Sequence, residues 1–485
     1  WKATAEQNVQ IVELVKSIVA ENRAATPEEK TLLTKFTGWG ASEIANGIFP
    51  YNYGVYKDPT WEELGKRLEA ALSPEEYAQA KRTTQYAHYT SEPIIRSVYA
   101  ALSRFGFNGG SMIEPGMGVG LFNGLMPDAM ANNSQYTGIE YDTITGNIAK
   151  LLYPDSNVIV GDFTQTKLPK NFFDVAVGNP PFGSIKIQSD PEYKKQGFLL
   201  HDYFFAKTID RVKEGGLLVF VTSKGTMDKA NDRARKYLSE RADLVGAIRL
   251  PQTAFKDNAG TEVVTDVIFL RKRTAEQEPA GEAWGSLKEI TTPQGKASIN
   301  EYFATHPEMI LGKSALTGSM YRANEYTVEP IAGADIETLF SEAINNLPEN
   351  IYRPQQGTKA EQAAVERRDY DPKIKKEGGI YVADDGVLMQ VSNGQGTPLT
   401  QKQNSKHELV DLKPKEKEWL KDYVGVRDAL KQAQYDQLQD NANWQQSLDA
   451  LNKAYDAFVK KHGFIEQHTV SERENEDGSV TVTKR

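Results

Sequence analysis

Short apolar runs alternate with helix-length segments between residues 86 and 273. Seven runs have the length and the Val, Ile, Leu and Phe content of buried strands. They are residues 111–113, 136–140, 158–160, 175–177, 217–222, 244–249 and 267–270. Because strands separated by helices need right-handed crossovers, the pattern predicts an α/β fold with a mostly parallel, seven-stranded, doubly wound sheet.

The first 85 residues have a helical period instead. Thr26-Pro27-Glu28-Glu29 and Ser73-Pro74-Glu75-Glu76 are two copies of one helix-start pattern. In each, a hydroxyl caps the helix, proline takes the first helical position, and glutamate follows three residues after the cap. We therefore predict a helical N-terminal segment over residues 1–85, followed by a catalytic-type α/β domain over residues 86–274.

The periodicity weakens after Thr274. Residues 275–300 are rich in Glu, Pro, Gly and Gln, which predicts a linker, and residues 275–415 as a whole are interpreted as a linker and possible recognition region. Within this region, residues 379–382 and 387–391 alternate as in a hairpin. Residues 416–485 predict a helical C-terminal segment with a polar tail.

The absence of cysteine narrows the chemistry. Among the 485 residues there is no cysteine, and the six histidines lack metal-ligand spacing. Disulfides, thiolate zinc sites, iron–sulfur clusters and a thiol nucleophile are thereby excluded, and we expect no metal. A cytoplasmic location is compatible with this composition. No apolar run is long enough to span a membrane, and the start at Trp1 leads us to expect a piece of a longer polypeptide.

Charge gives a mixed indication. The net charge of −9 disfavours a protein that coats nucleic acid with its whole surface. Residues 211–249 nevertheless hold nine Lys or Arg against five acids. That excess predicts either a local basic cleft or a solvated helix face.

The first motif with chemical content follows the first predicted strand, where residues 114–122 read Glu-Pro-Gly-Met-Gly-Val-Gly-Leu-Phe. Alternate glycines allow a sharp turn and let backbone amides approach a ligand. Acids end the next two strands, Glu140 before Tyr141 and Asp162 before Phe163. In Rossmann-like folds the first such acid binds ribose hydroxyls, and the second pair could bond an adenine amine and cover its ring. Taken singly, each pair is also consistent with an exposed acid and a buried ring.

The second motif, Asn179-Pro180-Pro181-Phe182, follows the fourth predicted strand. Two consecutive prolines make an extended, rigid segment that fixes the Asn179 amide oxygen and the Pro180 carbonyl. Both oxygens can accept hydrogen bonds from one planar NH₂ group, while the Phe182 ring stacks on the attached base. A plain strand-ending turn would explain the prolines but neither the asparagine nor the phenylalanine.

The order of these segments resembles the S-adenosylmethionine-dependent amino-methyltransferases, specifically the DNA adenine-N6 methyltransferases. The resemblance covers about residues 86–273 and implies a Rossmann-like methyltransferase fold, S-adenosyl-L-methionine as cofactor and double-stranded DNA as substrate. It implies catalytic roles for Asn179, Pro180, Pro181 and Phe182. It implies cofactor binding by Tyr89, Thr90, Glu114, Pro115, Gly116, Gly118, Gly120, Phe122, Glu140, Tyr141, Asp162 and Phe163.

Two further segments belong to this resemblance. Residues 86–93 are similar to the family's upstream Tyr-Thr-Pro cofactor segment, although Pro93 comes two positions later than in the family pattern. Residues 249–255 resemble a later strand region in which an aromatic helps to hold the target base. Phe255 is therefore a candidate for that role, with core packing as its alternative.

A narrower resemblance extends to the N-terminus. Residues 33–49, 200–204 and 222–228 are similar to methylase segments of large methylase–helicase proteins of phages and conjugative elements, some of them linked to protection from restriction. It implies a helicase region of the same longer polypeptide as a partner. Two alternatives remain: methylation of another planar amine, in an RNA base or a protein glutamine, and a non-catalytic methylase-like module that binds DNA or protein. Methylation of cytosine carbon-5 needs a cysteine nucleophile and is excluded.

Overall fold

The computed structural model forms two compact units, Trp1–Gln356 and Gly357–Arg485. The described residues are 1–51, 54–84, 89–183, 185–255, 262–274, 276–318, 323–353, 379–383, 385–392, 395–403, 409–438, 444–465, 470–474 and 480–484.

Five helices form the N-terminal part of the first unit: α1 (Lys2–Glu21), α2 (Pro27–Leu33), α3 (Ser42–Ile48), α4 (Glu62–Ala71) and α5 (Pro74–Thr83). Both predicted capping boxes are present, with the side chains of Thr26 and Ser73 accepting from the backbone of Glu29 and Glu76. The helical N-terminal segment is therefore confirmed as far as Thr83.

A seven-stranded sheet follows, composed of β1 (Ser111–Pro115), β2 (Gln135–Glu140), β3 (Asn157–Val160), β4 (Phe173–Gly178), β5 (Val212–Ser223), β6 (Ala242–Leu250) and β7 (Thr265–Lys272). The spatial order is β3-β2-β1-β4-β5-β7-β6. Strand β7 pairs antiparallel with both β5 and β6, and the pairings among β1 to β5 are parallel. The predicted α/β fold with a mostly parallel seven-stranded sheet is confirmed, and it is the methyltransferase-like arrangement.

The helices between these strands are α6 (Glu92–Arg104), α7 (Leu121–Gly124), α8 (Asp128–Ala131), α9 (Thr143–Leu152), α10 (Leu200–Arg211), α11 (Gly225–Asp228) and α12 (Arg233–Ser239). Strand β4 is buried along its whole length, as expected for a central strand covered on both faces. A second apolar cluster joins the N-terminal helices to Ile144 and Ile148 of α9 and to Val119 of the glycine-rich turn. The N-terminal segment thus shares one core with the β1–β2 side of the sheet.

The first unit continues beyond the predicted domain end at residue 274. It includes the hairpins β8 (Leu287–Thr292) with β9 (Gly295–Asn300) and β10 (Lys313–Gly318) with β11 (Glu325–Glu329), and the helices α13 (Glu301–Thr305) and α14 (Ile336–Ile344). The apolar cluster that contains the strands of the seven-stranded sheet is the main core of this unit. Its buried residues include Ile299, Phe303, Val328 and Phe340. Residues 287–300, expected within a linker, are therefore a hairpin, and its Ile290, Ala297 and Ile299 pack in that core.

The basic cluster of residues 211–249 is neither a bare cleft nor a solvated face. Most of its side chains form ion pairs within the fold. Arg249 is fully buried and pairs with Asp266 at 2.7 Å and with Asp228 at 2.8 Å. Pairing of this kind offsets part of the cost of removing these charges from water.

The second unit contains a three-stranded sheet of β12 (Ile380–Val382), β13 (Leu388–Ser392) and β14 (Gln395–Pro398), which confirms the predicted hairpin. It also contains the pairs β15 (Gln401–Gln403) with β16 (Leu409–Asp411) and β17 (Val470–Glu474) with β18 (Val480–Lys484), and the helices α15 (Pro414–Leu438) and α16 (Trp444–His462). Within the described chain, every helix is too short or too polar to cross a membrane.

Candidate active site

The chemically suggestive segments meet at the carboxyl edge of the parallel strands. Residues 116–120 follow β1, Glu140 ends β2, Asp162 follows β3, and Asn179 follows β4. The backbone N–H of Gly161 donates to the Glu140 carbonyl at 2.8 Å, so the ends of β2 and β3 are in direct contact. A ligand-binding position at this edge is typical of open parallel sheets.

The glycine-rich turn adopts a conformation that side chains disfavour. Gly116, Gly118 and Gly120 have φ values of 75°, 57° and 83°, in the left-handed region. A Cβ on Gly118 would lie 2.8 Å from the Tyr89 ring, and one on Gly120 would lie 2.6 Å from the Tyr153 ring. The backbone conformation therefore favours glycine at all three positions, and the available space favours it also at positions 118 and 120.

Glu140 joins the glycine-rich turn to the second strand. Its Oε2 accepts from the Gly118 backbone N–H at 2.8 Å, and its Oε1 accepts from the Asp142 N–H at 2.9 Å. Burial raises the pKa of Glu140 to about 7, against the lowering effect of these backbone hydrogen bonds. The carboxyl group therefore changes charge in the physiological pH range.

The upstream segment covers the same turn. Tyr86, which begins the upstream motif, lies outside the described residues, whereas Tyr89 contacts the Gly118 position and Thr90 is buried. Among the described residues, the Thr90 hydroxyl has no hydrogen-bond partner. A buried hydroxyl without a partner is costly unless a ligand satisfies it, so Thr90 is suited to a cofactor contact.

Asp162 and Phe163 follow β3 as predicted, and protein contacts hold them in place. The Thr164 N–H donates to Asp162 Oδ1 at 2.7 Å. The Phe163 ring is buried against Phe204, with ring centroids 4.8 Å apart. Lys207 Nζ donates to the Phe163 carbonyl at 2.6 Å and pairs with the buried Asp190 at 3.0 Å. Sequence reasoning missed this support, because Lys207 and Asp190 come together only in the folded chain.

Other predicted cofactor residues make contacts within the protein. Glu114 is buried and accepts from the Tyr136 hydroxyl at 2.6 Å, and burial raises its pKa well above the usual value. Pro115 and Phe122 are also buried. Tyr141 is 39% exposed, and its hydroxyl accepts from Arg82 at 2.9 Å. Their contact with a cofactor stays a prediction.

The Asn179–Phe182 motif lies beside the glycine-rich turn. It leaves β4 through Gly178, whose φ is 148°. A Cβ built on Gly116 would be 3.4 Å from Pro181 Cδ, which places the two motifs in contact. Pro180 is buried, whereas Asn179 and Phe182 are half-buried and thus partly accessible. Phe255 is 2% exposed within the main core, so its alternative role in packing is the one that the structure supports.

A polar cluster next to this motif has no role in the sequence prediction. His201 and Asp202 are buried at the start of α10, and Lys229 forms an ion pair with Asp202. His201 lies beside the backbone of Gly183, and its burial lowers the pKa of the imidazole. The segment Leu200–Phe204 belongs to the narrower resemblance in the sequence, and the fold shows that it borders the Asn179–Phe182 motif.

The seven-stranded sheet and the edge site are those of a methyltransferase-like α/β domain, and S-adenosylmethionine is the cofactor that suits this edge. The residues present fit that cofactor: the turn has no side chains in the way, Glu140 can accept from hydroxyls, and Thr90 has a free donor. Among the described residues there is no cluster of metal-ligand side chains.

Comparison with known proteins agrees with this class. Residues 71–255 match the family described as Eco57I restriction-modification methylase. Over 194 residues the chain is 32% identical to the protein "Defense against restriction protein B" of Escherichia phage P1. That alignment covers 39% of this chain and 8% of the phage protein, so this chain spans a small part of that relative.

Solved structures with related folds are more distant. A Listeria monocytogenes protein assigned to the class I S-adenosylmethionine-dependent methyltransferases has 14% identity and a TM-score of 0.37, covering 58% of this chain and 92% of that one. The methyltransferase subunit of a type I restriction-modification system from Streptococcus thermophilus has 22% identity and a TM-score of 0.31, covering 45% and 54% respectively.

Proposed function

We propose that this chain transfers a methyl group from S-adenosylmethionine to the exocyclic N6 amine of adenine in double-stranded DNA. The observation that carries the proposal is the contact between the glycine-rich turn and the Asn179–Phe182 motif at Gly116 and Pro181. A motif suited to a planar amine is thereby adjacent to the turn suited to the methyl donor. Proximity of this kind is the main source of catalysis in a direct transfer.

The protein's part in the reaction is to hold the target amine. An adenine inside a duplex is not accessible, so it must leave the stack, at a cost of a few kcal/mol. The half-buried Phe182 offers a face for the flipped ring. The Asn179 side-chain oxygen and the Pro180 carbonyl would accept from the two N6 hydrogens, which directs the nitrogen lone pair away from the ring plane.

When bound, S-adenosylmethionine supplies an electrophilic methyl group on a positively charged sulfur. The N6 lone pair forms the new nitrogen–carbon bond as the carbon–sulfur bond breaks, and the electron pair of that bond neutralises the sulfur. The amine then loses one proton to solvent. Asn179 and Pro180 stabilise the positive charge that develops on nitrogen, and no covalent bond to the protein is needed.

The biological setting follows from the same proposal. A DNA substrate favours a cytoplasmic location, and the similarity to a phage protein named for defence against restriction suggests that the methylation protects a mobile element's DNA. A helicase region of a longer polypeptide is the partner that we propose for this chain.

The test is methyl transfer from radiolabelled S-adenosylmethionine to unmethylated phage DNA, followed by mass spectrometry of the released nucleosides. We expect N6-methyladenine in DNA and no label in RNA or in glutamine-containing peptides. The Asn179→Ala variant should bind the cofactor normally and lose at least 100-fold in transfer, an amount typical of one lost transition-state contact, about 10²–10³. Asn452→Ala, at an exposed position of α16, is the matched control.

Label in RNA or in peptide, but not in DNA, would show that the methyl acceptor is a planar amine other than adenine N6 in DNA. Cofactor binding without transfer to any of these acceptors would favour the non-catalytic module. Full activity of Asn179→Ala would refute the role of the motif.

A further inference from the structure

The chain immediately after the catalytic motif folds back on itself. The Ile187 N–H donates to the Phe198 carbonyl at 3.0 Å, and Lys186 and Leu199 form an antiparallel bridge. We refer to residues 185–199 as the post-motif hairpin. Its first residue is only three positions from Phe182, a distance of at most about 11 Å along an extended chain.

Side-chain contacts hold the post-motif hairpin against the carboxyl edge of the parallel strands, to which we refer as the cofactor edge. Asp190 accepts from the Tyr203 hydroxyl at 2.7 Å and pairs with Lys207, which also holds the Phe163 carbonyl. Ser189 Oγ donates to the Thr164 hydroxyl at 2.9 Å. The hairpin therefore has a defined position relative to the segment that carries Asp162 and Phe163.

The acidic residues of the hairpin form ion pairs with residues outside it, whereas among the described residues its lysines do not. Glu192 pairs with Arg211 at 2.6 Å and with Lys170 at 2.7 Å, and Asp190 pairs with Lys207. Lys186, Lys194 and Lys195 are all exposed, and none forms an ion pair with another residue in the described part of the chain. The exposed surface of the hairpin is thus basic, in a chain whose net charge is −9.

Ile185 is the second unusual feature of this surface. Its side chain is 58% exposed, directly beside a motif whose other apolar residues are at least half-buried. An exposed isoleucine within a basic surface matches the chemistry of a DNA duplex, in which stacked bases lie between rows of phosphates. Apolar side chains of this type are used by proteins to enter the stack between base steps.

We propose that the post-motif hairpin is the duplex-binding element of the active site. Ile185 fills the space that the extruded adenine leaves in the stack, and Lys186, Lys194 and Lys195 contact the flanking phosphates. The inference rests on the proposed function, because a flipped base is needed to create the space. The hydrogen bond and ion pair of Asp190 hold the hairpin, and with it this surface, at a fixed position relative to the cofactor edge.

The contribution of the lysines is tested by fluorescence anisotropy with a labelled 30-base-pair duplex of mixed sequence. Changing Lys186, Lys194 and Lys195 to glutamate should weaken binding at least tenfold and reduce the slope of log Kd against log salt by about three, since each phosphate contact contributes about 0.9. The charge-matched control changes Lys35, Lys57 and Lys415, which are exposed elsewhere. Equal effects of the two triple variants would overturn the proposal that the hairpin lysines contact phosphates.

The contribution of Ile185 is tested by permanganate footprinting of unmethylated phage DNA in the presence of S-adenosylhomocysteine. Permanganate oxidises thymines that have lost their adenine partners, so each site of flipping is detected whatever the recognition sequence is. Ile185→Ala should reduce these signals at least fivefold with unchanged cofactor binding. Val55→Ala, at another β-branched residue that is 61% exposed, should match the unchanged protein.

The outcomes separate the two proposals. If the unchanged protein methylates adenine and both hairpin variants behave like their controls, the hairpin inference is wrong and the proposed function stands. If the unchanged protein methylates no DNA, the proposed function fails, and the inference falls with it.

Discussion

The Gly118 backbone N–H and the Glu140 carboxylate are joined by a 2.8 Å hydrogen bond across the cofactor edge. This bond holds the turn after β1 against the end of β2 before any ligand arrives. The same carboxylate is the group expected to accept from ribose hydroxyls. In that role Glu140 would serve the fold and the ligand at once, and its protonation state would set its capacity to accept hydrogen bonds.

We expect cofactor affinity to rise with pH up to about 7 and then to level off. Burial raises the pKa of Glu140 to about 7 in the ligand-free protein, and hydroxyl donors favour its charged form. Binding below that pH therefore releases a proton, with a limit of about tenfold in affinity per pH unit. Calorimetry with S-adenosylhomocysteine from pH 5.5 to 8.5 measures the profile, and Glu140→Gln should flatten it. An identical profile for the variant would exclude Glu140 as its origin.

The contribution of Glu140 to the stability of the ligand-free protein should depend on pH in the opposite direction. A raised carboxyl pKa means that the folded state binds the proton more tightly than the unfolded state. The contribution of Glu140 is fully present below the usual pKa of 4.5 and is lost as pH rises through about 7. Urea unfolding of the protein and of Glu140→Gln at pH 5 and pH 8 isolates this contribution, and a difference of the reverse sign would contradict the raised pKa.

Gly118→Ala should abolish measurable cofactor binding. The new Cβ would lie 2.8 Å from the Tyr89 ring, at a φ of 57° that alanine disfavours. Gly161→Ala is the matched control, since no atom lies within 4 Å of its Cβ position. Isothermal titration of both variants distinguishes the steric requirement at position 118 from a general loss of glycine. Normal binding by Gly118→Ala would show that the turn adapts.

Arg249→Met should destabilise the first unit by about 3–5 kcal/mol, because the carboxylate of the fully buried Asp266 would lose its compensating charge. Lys66→Met removes an exposed pair with Glu62 and should cost less than about 0.5 kcal/mol. Urea unfolding measures both. Similar losses in the two variants would mean that water reaches Asp266.

Val15→Ala should cost about 1–3 kcal/mol of unfolding free energy, whereas Val19→Ala on the same helix should cost less than about 0.5. Val15 is completely buried in the cluster shared by α1 and α9, and Val19 is 48% exposed. The helical propensities of the two positions are matched, so the difference reports burial alone. Equal losses would indicate that α1 does not pack as described.

Sequence patterns could predict the sheet because each strand is a continuous apolar run that must be covered on both faces. The same reasoning failed for residues 287–300, where β8 contributes few apolar side chains and its hairpin depends on a core built by distant strands. The pattern of apolar residues along a segment predicts its structure only where those residues account for most of the segment's burial.

The sequence could predict which strand ends form the candidate site, but not the contacts that its side chains make. Parallel topology alone brings Glu140, Asp162 and Asn179 to one edge, and all three lie there. Spacing could not show that Phe122 points into the core, or that Lys207 and Asp190 support Phe163. Those relationships depend on the direction of a side chain at a turn and on contacts between distant parts of the chain.

The apolar cluster shared by the N-terminal helices, α9 and Val119 also limits how this protein can be recombined. The methylase family match begins at residue 71, at the end of α4. A gene fusion that joined a foreign sequence at that position would separate Ile144 and Ile148 from the helices that bury them. An exchanged piece that keeps the cofactor edge intact must therefore include the N-terminal helices that bury Ile144 and Ile148.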